Sequence, residues 1–243
     1  ADENGFERKR NFMIQISNLS KKYGETVVFS DLNYTFENAC IYGLVGRNGA
    51  GKTTLLNILS NYDKNYPGVI SIDRKKMNKV DYLDMPVAYA MDQPSFFNEL
   101  TIYENLLLIA SSRKIKKQEA FDKIERILDG LGLKKYKNYS PLELSKGTMQ
   151  RLNNACAMIQ EEKITIFDEP FSGLDPVQMK LLENVIVEFH KKEKGIYIIS
   201  SHDIECLQNV CDKCLLLHNG QIREINMEEV DREEIAKILS EGE

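Results

Sequence analysis

The feature that most constrains this chain is a glycine-rich loop between a strand-like and a helix-like segment. The continuous apolar run Cys40–Val45 leads into the loop, and a helical pattern from Lys52 to Ser60 follows it. The loop itself, Gly46–Thr53, fits the pattern G-x-x-x-x-G-K-[ST]. Its glycines let the backbone curl so that N–H groups and the helix N-terminus point at phosphate oxygens. The sequence therefore predicts a strand–loop–helix unit that binds phosphate.

Two side chains of this loop have the chemistry that a nucleotide site needs. Lys52 would add a positive charge at the β- and γ-phosphates, and the hydroxyl of Thr53 is suited to ligate Mg²⁺, which prefers oxygen ligands. We expect the nucleotide to contact Gly46, Asn48, Gly49, Gly51, Lys52, Thr53 and Thr54.

The rest of the chain alternates short β-branched runs with amphipathic helical patterns, as α/β domains with a largely parallel sheet do. Three extended runs precede any helix and predict an N-terminal antiparallel β subdomain. These runs are Phe12–Leu19, Thr26–Phe29 and Leu32–Phe36. The middle of the chain has a helical period, which predicts an inserted α-helical subdomain at about residues 95–160. Further strands are predicted at Val69–Ile72, Val87–Met91, Ile164–Phe167, Gly195–Ser200 and after Cys214.

Composition excludes several classes of protein. The 32 basic and 37 acidic residues give a net charge of −5, so no global basic field is available for sequence-independent nucleic-acid binding. Apolar runs are far shorter than the roughly 18 residues of a membrane-spanning helix, and the N-terminus has no apolar signal core. We therefore expect a cytosolic protein in which residues 1–12 are a tag remnant or a disordered extension.

The five cysteines do not predict a disulfide framework, because their number is odd. Cys211 and Cys214 have the spacing of half a zinc site, but the sequence has no second pair. We therefore expect no zinc site.

Two acidic residues and a histidine follow predicted strands. Asp168 and Glu169 end the strand Ile164–Phe167, and His202 follows the strand Gly195–Ser200. Because the carboxyl ends of parallel strands meet at one sheet edge, these side chains should lie near the phosphate loop. Asp168 could hold Mg²⁺ while Glu169 polarises a water molecule for attack on the γ-phosphate. The alternative is that the acids are solvated strand ends.

Six motifs in one order make residues 13–220 resemble the nucleotide-binding domain of ATP-binding cassette (ABC) transporters. They are Gly46–Thr53, Gln93, Leu144–Thr148, Ile164–Glu169, Ser172–Asp175 and His202. The resemblance implies a P-loop NTPase core, ATP and Mg²⁺ as cofactors, and ATPase activity, with the cassette spanning residues 13–243. It also implies that Tyr23 stacks on adenine, that Gln93 touches Mg²⁺ and the attacking water, and that His202 is catalytic. The alternative for Tyr23 is a tyrosine that belongs to the turn, because a stacking face and a turn aromatic look alike in sequence.

The segment Leu144–Thr148 departs from the usual LSGGQ sequence of the family, since Lys146 and Thr148 replace a glycine and a glutamine. Ser145 can cap the following helix, and Gly147 permits close approach of a phosphate. The resemblance implies that Ser145 and Gly147 bind the γ-phosphate held by a second cassette, in a head-to-tail homodimer or heterodimer.

Three other interpretations share the phosphate loop. A GTPase would explain Asn78–Asp81 and Asp129–Gly132, which match NKxD and DxxG, but neither match has the strand context that those motifs require. The second interpretation is a soluble ABC ATPase that acts in assembly or repair. The third is a degenerate cassette that does not hydrolyse ATP, and the presence of Glu169 and His202 argues against it.

The resemblance therefore implies an ATP-hydrolysing subunit that works with a separate transmembrane permease at the inner face of the cell membrane. The short helical region and the LSKGT variant favour export of a peptide, antibiotic or lipid-like substrate. We expect no nucleic-acid partner.

Overall fold

The computed structural model describes residues 12–80 and 84–226. Ten strands are found in this part of the chain: β1 (Met13–Tyr23), β2 (Thr26–Glu37), β3 (Cys40–Val45), β4 (Val69–Ile72), β5 (Lys75–Lys76), β6 (Val87–Ala90), β7 (Ile164–Phe167), β8 (Ile196–Ser201), β9 (Lys213–His218) and β10 (Gln221–Ile225).

The same residues contain six α-helices: α1 (Lys52–Leu59), α2 (Ile102–Ser112), α3 (Lys117–Gly130), α4 (Lys146–Met158), α5 (Pro176–Glu193) and α6 (Glu205–Gln208). Short 3-10 helices lie at Met77–Lys79, Lys134–Tyr136 and Pro141–Glu143. A capping box opens α2, since the Thr101 hydroxyl accepts from the Glu104 N–H and the Glu104 carboxylate accepts from the Thr101 N–H. Asp175 caps α5, with Pro176 as its first residue.

The strands form two sheets. The smaller is antiparallel, in the order β2-β1-β4-β5, and the larger has the order β10-β9-β3-β8-β7-β6. All neighbours in the larger sheet are parallel except β10 and β9. All six residues of β3 are buried, which explains why this strand is continuously apolar. The predicted α/β fold, with an N-terminal antiparallel sheet and a helical region, is confirmed.

The sheets and helices enclose two apolar clusters. One lies between the smaller sheet, α1 and one face of the larger sheet, and includes Phe36, Tyr42 and Leu56. The other packs α2, α3, α4 and α5 against the opposite face, around Leu106 and Phe167. The helices between β6 and β7 therefore lie against the face of the core opposite to the antiparallel sheet.

One expectation for the β subdomain was wrong in detail. The runs Thr26–Phe29 and Leu32–Phe36 are one strand, β2, because Asp31 adopts a φ of 52° and the pairing with β1 shifts register around it. A bulge of this kind bends a strand without ending it.

The strand β10, in the larger sheet, is not among the strands that the sequence predicts. Residues 1–11 of the predicted extension and Asp81 of the NKxD match lie outside the described residues.

Candidate active site

A cavity of about 500 Å³ opens at the carboxyl ends of β3, β7 and β8. It brings together most of the residues that the sequence predicts for the nucleotide site. Its lining comprises Tyr23, Thr26, Val28, Arg47, Asn48, Gly49, Gly51, Lys52, Thr53, Thr54, Asp92, Glu169, Ser172 and His202.

The floor of the cavity is the glycine-rich loop, which joins β3 to α1. Gly51 has a φ of 99°, in the region that favours glycine, and immediately precedes the first helical residue. A Cβ at this position would come within 2.6 Å of Val28 Cγ1. Gly51 therefore lets the helix N-terminus lie against β2 and face the cavity.

Lys52 is almost completely buried beneath this loop. Its Nζ donates to the carbonyl oxygens of Gly46 at 2.7 Å and Arg47 at 3.3 Å, and lies 3.5 Å from Glu169 Oε1. These contacts hold a positive charge at the base of the cavity. The charge lies next to the N-terminus of α1, whose free N–H groups also favour anions.

Asp168 is fully buried at the end of β7. Its Oδ1 accepts a hydrogen bond of 2.5 Å from Ser200 Oγ, and Thr53 is a second side-chain partner. Burial raises the pKa of Asp168 above its ordinary value, while the hydrogen bonds from Ser200 and Thr53 lower it. A buried carboxylate beside a threonine hydroxyl is an oxygen donor set that fits Mg²⁺.

Glu169 stands beside Asp168 but faces the open cavity. Its Oε2 lies 2.9 Å from His202 Nδ1, and its backbone N–H donates to Ser200 Oγ at 2.9 Å. Its φ is 49°, an uncommon backbone conformation for a residue other than glycine. The surrounding contacts thus hold Glu169 in a strained conformation that directs its carboxylate toward Lys52 and His202.

The rim of the cavity is formed by the antiparallel sheet. Tyr23 is 54% exposed at the end of β1, and its hydroxyl lies 3.4 Å from Asp63 Oδ2. Thr26 and Val28 of β2 continue the same rim. This surface offers an aromatic face to a planar ligand.

Five residues predicted for the site do not line the cavity: Gly46, Gln93, Ser145, Gly147 and Asp168. Gly46 and Asp168 are buried, and each directly precedes a lining residue in the chain. Gln93 is exposed in the bend after β6, where the neighbouring Asp92 reaches the cavity instead. Ser145 caps α4 as expected, accepting from Thr148 N–H at 3.3 Å. Gly147 is buried, and a Cβ there would come within 2.8 Å of the Gly173 carbonyl oxygen. Ser145 and Gly147 therefore lie together but outside their own chain's cavity.

Sequence reasoning missed Ser200, although it touches both acidic residues. The available signal was a pair of serines, Ser200 and Ser201, at the end of a mostly apolar strand just before His202. Tyr89, whose hydroxyl lies 3.4 Å from Asp168 Oδ2, was missed because tyrosine is also common in half-buried strands.

The structure also bears on the cysteines, on metal sites and on membrane-spanning helices. All five cysteines have free thiols. Among residues 12–80 and 84–226, His, Cys, Asp and Glu side chains form no group that could hold a metal by themselves. No helix in these ranges is long and apolar enough to span a bilayer.

Comparison with known proteins identifies the family. Residues 29–172 match the family model described as "ABC transporter". The bacitracin transport ATP-binding protein BcrA of Enterococcus faecalis is 30% identical, over 91% of this chain and 71% of its own length. The ATP-binding protein TupC of the tungstate uptake system of Peptoclostridium acidaminophilum is also 30% identical, over 87% of this chain and 97% of its own length.

Solved structures agree with this assignment. The structure described as an ATP-binding subunit of an ABC transporter is 26% identical, with a TM-score of 0.81, and the match covers 94% of this chain and 95% of the other. Its fold is thus shared from the antiparallel sheet to the helical region. With a phosphate loop, a buried aspartate and a glutamate–histidine pair around one cavity, the chain belongs to the ABC transporter family and is an ATP-binding ABC transporter ATPase.

Proposed function

We propose that this chain is the energy-supplying subunit of an exporter, paired with a separate transmembrane permease. Export is favoured over uptake by the similarity of the chain to the bacitracin transport protein, together with the LSKGT segment. The equally similar tungstate uptake protein makes an uptake subunit the second candidate. The cargo of the proposed exporter is a peptide, antibiotic or lipid-like molecule, and the subunit lies in the cytoplasm against the inner face of the membrane.

Reconstitution distinguishes these functions. The chain is purified with the membrane protein that accompanies it and is placed in vesicles with the ATPase subunit outside. An exporter should load labelled bacitracin or another peptide into the vesicles when ATP is added. Emptying of preloaded vesicles would instead indicate uptake. Failure of any membrane protein to accompany the chain would favour a soluble ABC ATPase of assembly or repair.

The proposed chemistry of ATP hydrolysis follows from the Glu169–His202 pair. Glu169 accepts a proton from the attacking water, and His202 holds the Glu169 carboxylate at Oε2, 2.9 Å away. Lys52 and the loop N–H groups stabilise the negative charge of the phosphates. Ser200 fixes both acidic residues, because its hydroxyl donates to Asp168 and accepts from the Glu169 N–H.

Mg²⁺ is proposed as the cofactor. Thr53 and Asp168 fit it because they are oxygen donors in side-chain contact at the phosphate end of the cavity. When bound there, the ion would neutralise phosphate charge. Gln93 is proposed as a further ligand and water contact only in the nucleotide-bound state, because in this structure its side chain is exposed.

A second cassette is proposed to complete the site. Ser145 and Gly147 are placed outside the cavity of their own chain, so a γ-phosphate held at Lys52 is not in their reach within one subunit. In a head-to-tail pair, the Ser145 end of α4 would face the other chain's phosphate. The second cassette is proposed to be either another copy of this chain or a different cassette.

Base selectivity should be low. If Tyr23 holds the base mainly by stacking, GTP should bind with only modest loss relative to ATP, because a π face does not read the edge of the base. Titration of both nucleotides against the wild-type chain and Tyr23→Ala provides the measurement. Discrimination of about 10⁴ against GTP would show hydrogen-bond readout of the base and contradict the stacking role.

Phe97 is proposed to contact the permease. It is 59% exposed beside the Gln93 bend, whereas the neighbouring Phe96 is partly buried and packs on the apolar cluster of the helices. Phe97→Ser should therefore weaken stimulation of ATPase activity by the membrane subunit and leave ATP affinity unchanged. Phe96→Ser is the matched control and should mainly lower the melting temperature. Normal coupling in Phe97→Ser would contradict the docking role.

A further inference from the structure

Two consecutive asparagines, Asn153 and Asn154, lie in the interior of α4, where an apolar face would be expected. Asn154 is completely buried and Asn153 is 4% exposed. Asparagine is a weaker helix former than alanine, and a buried amide costs stability unless both of its polar atoms are paired. Asn154 Oδ1 has no hydrogen-bond partner. The chain thus keeps two residues here that local stability alone would disfavour.

Both asparagines donate to backbone carbonyls next to the active site. Asn154 Nδ2 donates to the Pro170 carbonyl at 3.2 Å, and Asn153 Nδ2 donates to the Met91 carbonyl at 2.7 Å. Pro170 follows Glu169, and Met91 precedes Asp92, which lines the cavity. The two bonds therefore fasten one helix to the loops that follow β6 and β7.

A third amide on the same helix face completes the arrangement. Gln150, three and four positions before the asparagines, donates to the Glu169 carbonyl at 3.2 Å. With Ser200 accepting from the Glu169 N–H, side chains hold the backbone of Glu169 on both sides. Glu169 has a φ of 49°, an unfavourable backbone conformation that persists only when surrounding contacts hold it in place.

We propose that Asn153 and Asn154 are positioning residues for ATP hydrolysis, which hold the Glu169 and Asp92 loops in their catalytic geometry against α4. This inference rests on the proposed catalytic role of Glu169. Since α4 begins after Ser145, one rigid helix carries both these amides and the segment proposed to meet the second cassette.

The test replaces each asparagine by leucine, which has a similar shape but no donor. Asn153→Leu and Asn154→Leu should keep the Kd and KM for ATP within about twofold and lower kcat about tenfold, the value of one hydrogen bond. The melting temperature of Asn154→Leu should stay within about 4 °C of wild type, because removal of the unpaired Asn154 oxygen offsets the loss of the hydrogen bond to the Pro170 carbonyl. Gln160→Leu is the matched control, since Gln160 is an amide just after the end of α4 that bonds Cys156 and Arg113 and no catalytic loop.

A double variant separates this inference from the proposed function. If Asn154 acts through Glu169, adding Asn154→Leu to Glu169→Gln should lower the residual rate no further. A normal rate of hydrolysis in the Glu169→Gln single variant would refute the proposed catalytic role of Glu169 itself. Unchanged kcat in folded Asn153→Leu and Asn154→Leu would overturn the positioning role, as would a loss of kcat that only parallels a loss of folded protein. Should Asn154→Leu not fold, Asn154→Ala is measured in the same way, and the same two outcomes apply.

Discussion

Lys52→Ala should lower ATP affinity by about 10- to 150-fold, the equivalent of the ~1.5–3 kcal/mol that a hydrogen bond to a charged group contributes. The lysine is buried under the phosphate loop, so a truncated side chain leaves no cation to replace it. The loss also leaves Glu169 Oε1 without its nearby positive charge. Isothermal titration of ATP against both proteins measures the effect.

Lys191→Ala is the appropriate control, because Lys191 is an exposed lysine on α5 away from the cavity. It removes the same charge from the protein and should bind ATP as wild type does. Equal dissociation constants for Lys52→Ala and wild type would contradict the assignment of the phosphate site.

Glu169→Gln should slow hydrolysis by about 10²–10⁴, the usual contribution of a general base. The amide keeps the shape of the side chain and most of its hydrogen bonding but lacks the basicity of the carboxylate. ATP affinity should therefore change little while kcat falls. Phosphate release at saturating Mg²⁺ and ATP is the measurement, with Glu205→Gln, an exposed glutamate at the start of α6, as the control. A normal rate in Glu169→Gln would refute the catalytic role.

The parts of the fold that sequence predicted best are those with strong local signals. The phosphate loop and the fully apolar strand β3 both depend on residues close together in the chain. The position of Asp168, Glu169 and His202 at one edge of the sheet was also predicted, because parallel strands place their carboxyl ends there.

The parts that sequence missed depend on contacts between distant segments. Ser200 bonds residues 31 and 32 positions away, and Asn153 bonds a carbonyl 62 positions away. The neighbouring sequence shows at most that such a serine or asparagine lies in an apolar segment, and it does not show which distant group the side chain bonds. Gln93 shows the converse, since its motif position is clear but its side chain in this structure is exposed and Asp92 lines the cavity.

The most direct test of the account is the association state of Glu169→Gln with each nucleotide. If Ser145 binds the γ-phosphate of a second copy, unhydrolysed ATP should hold two chains together, and loss of that phosphate should release them. Size-exclusion chromatography should therefore show a dimer of Glu169→Gln in ATP and a monomer in ADP. Elution as a monomer while ATP is bound would contradict a site built from two copies of this chain and would indicate a different cassette as the partner.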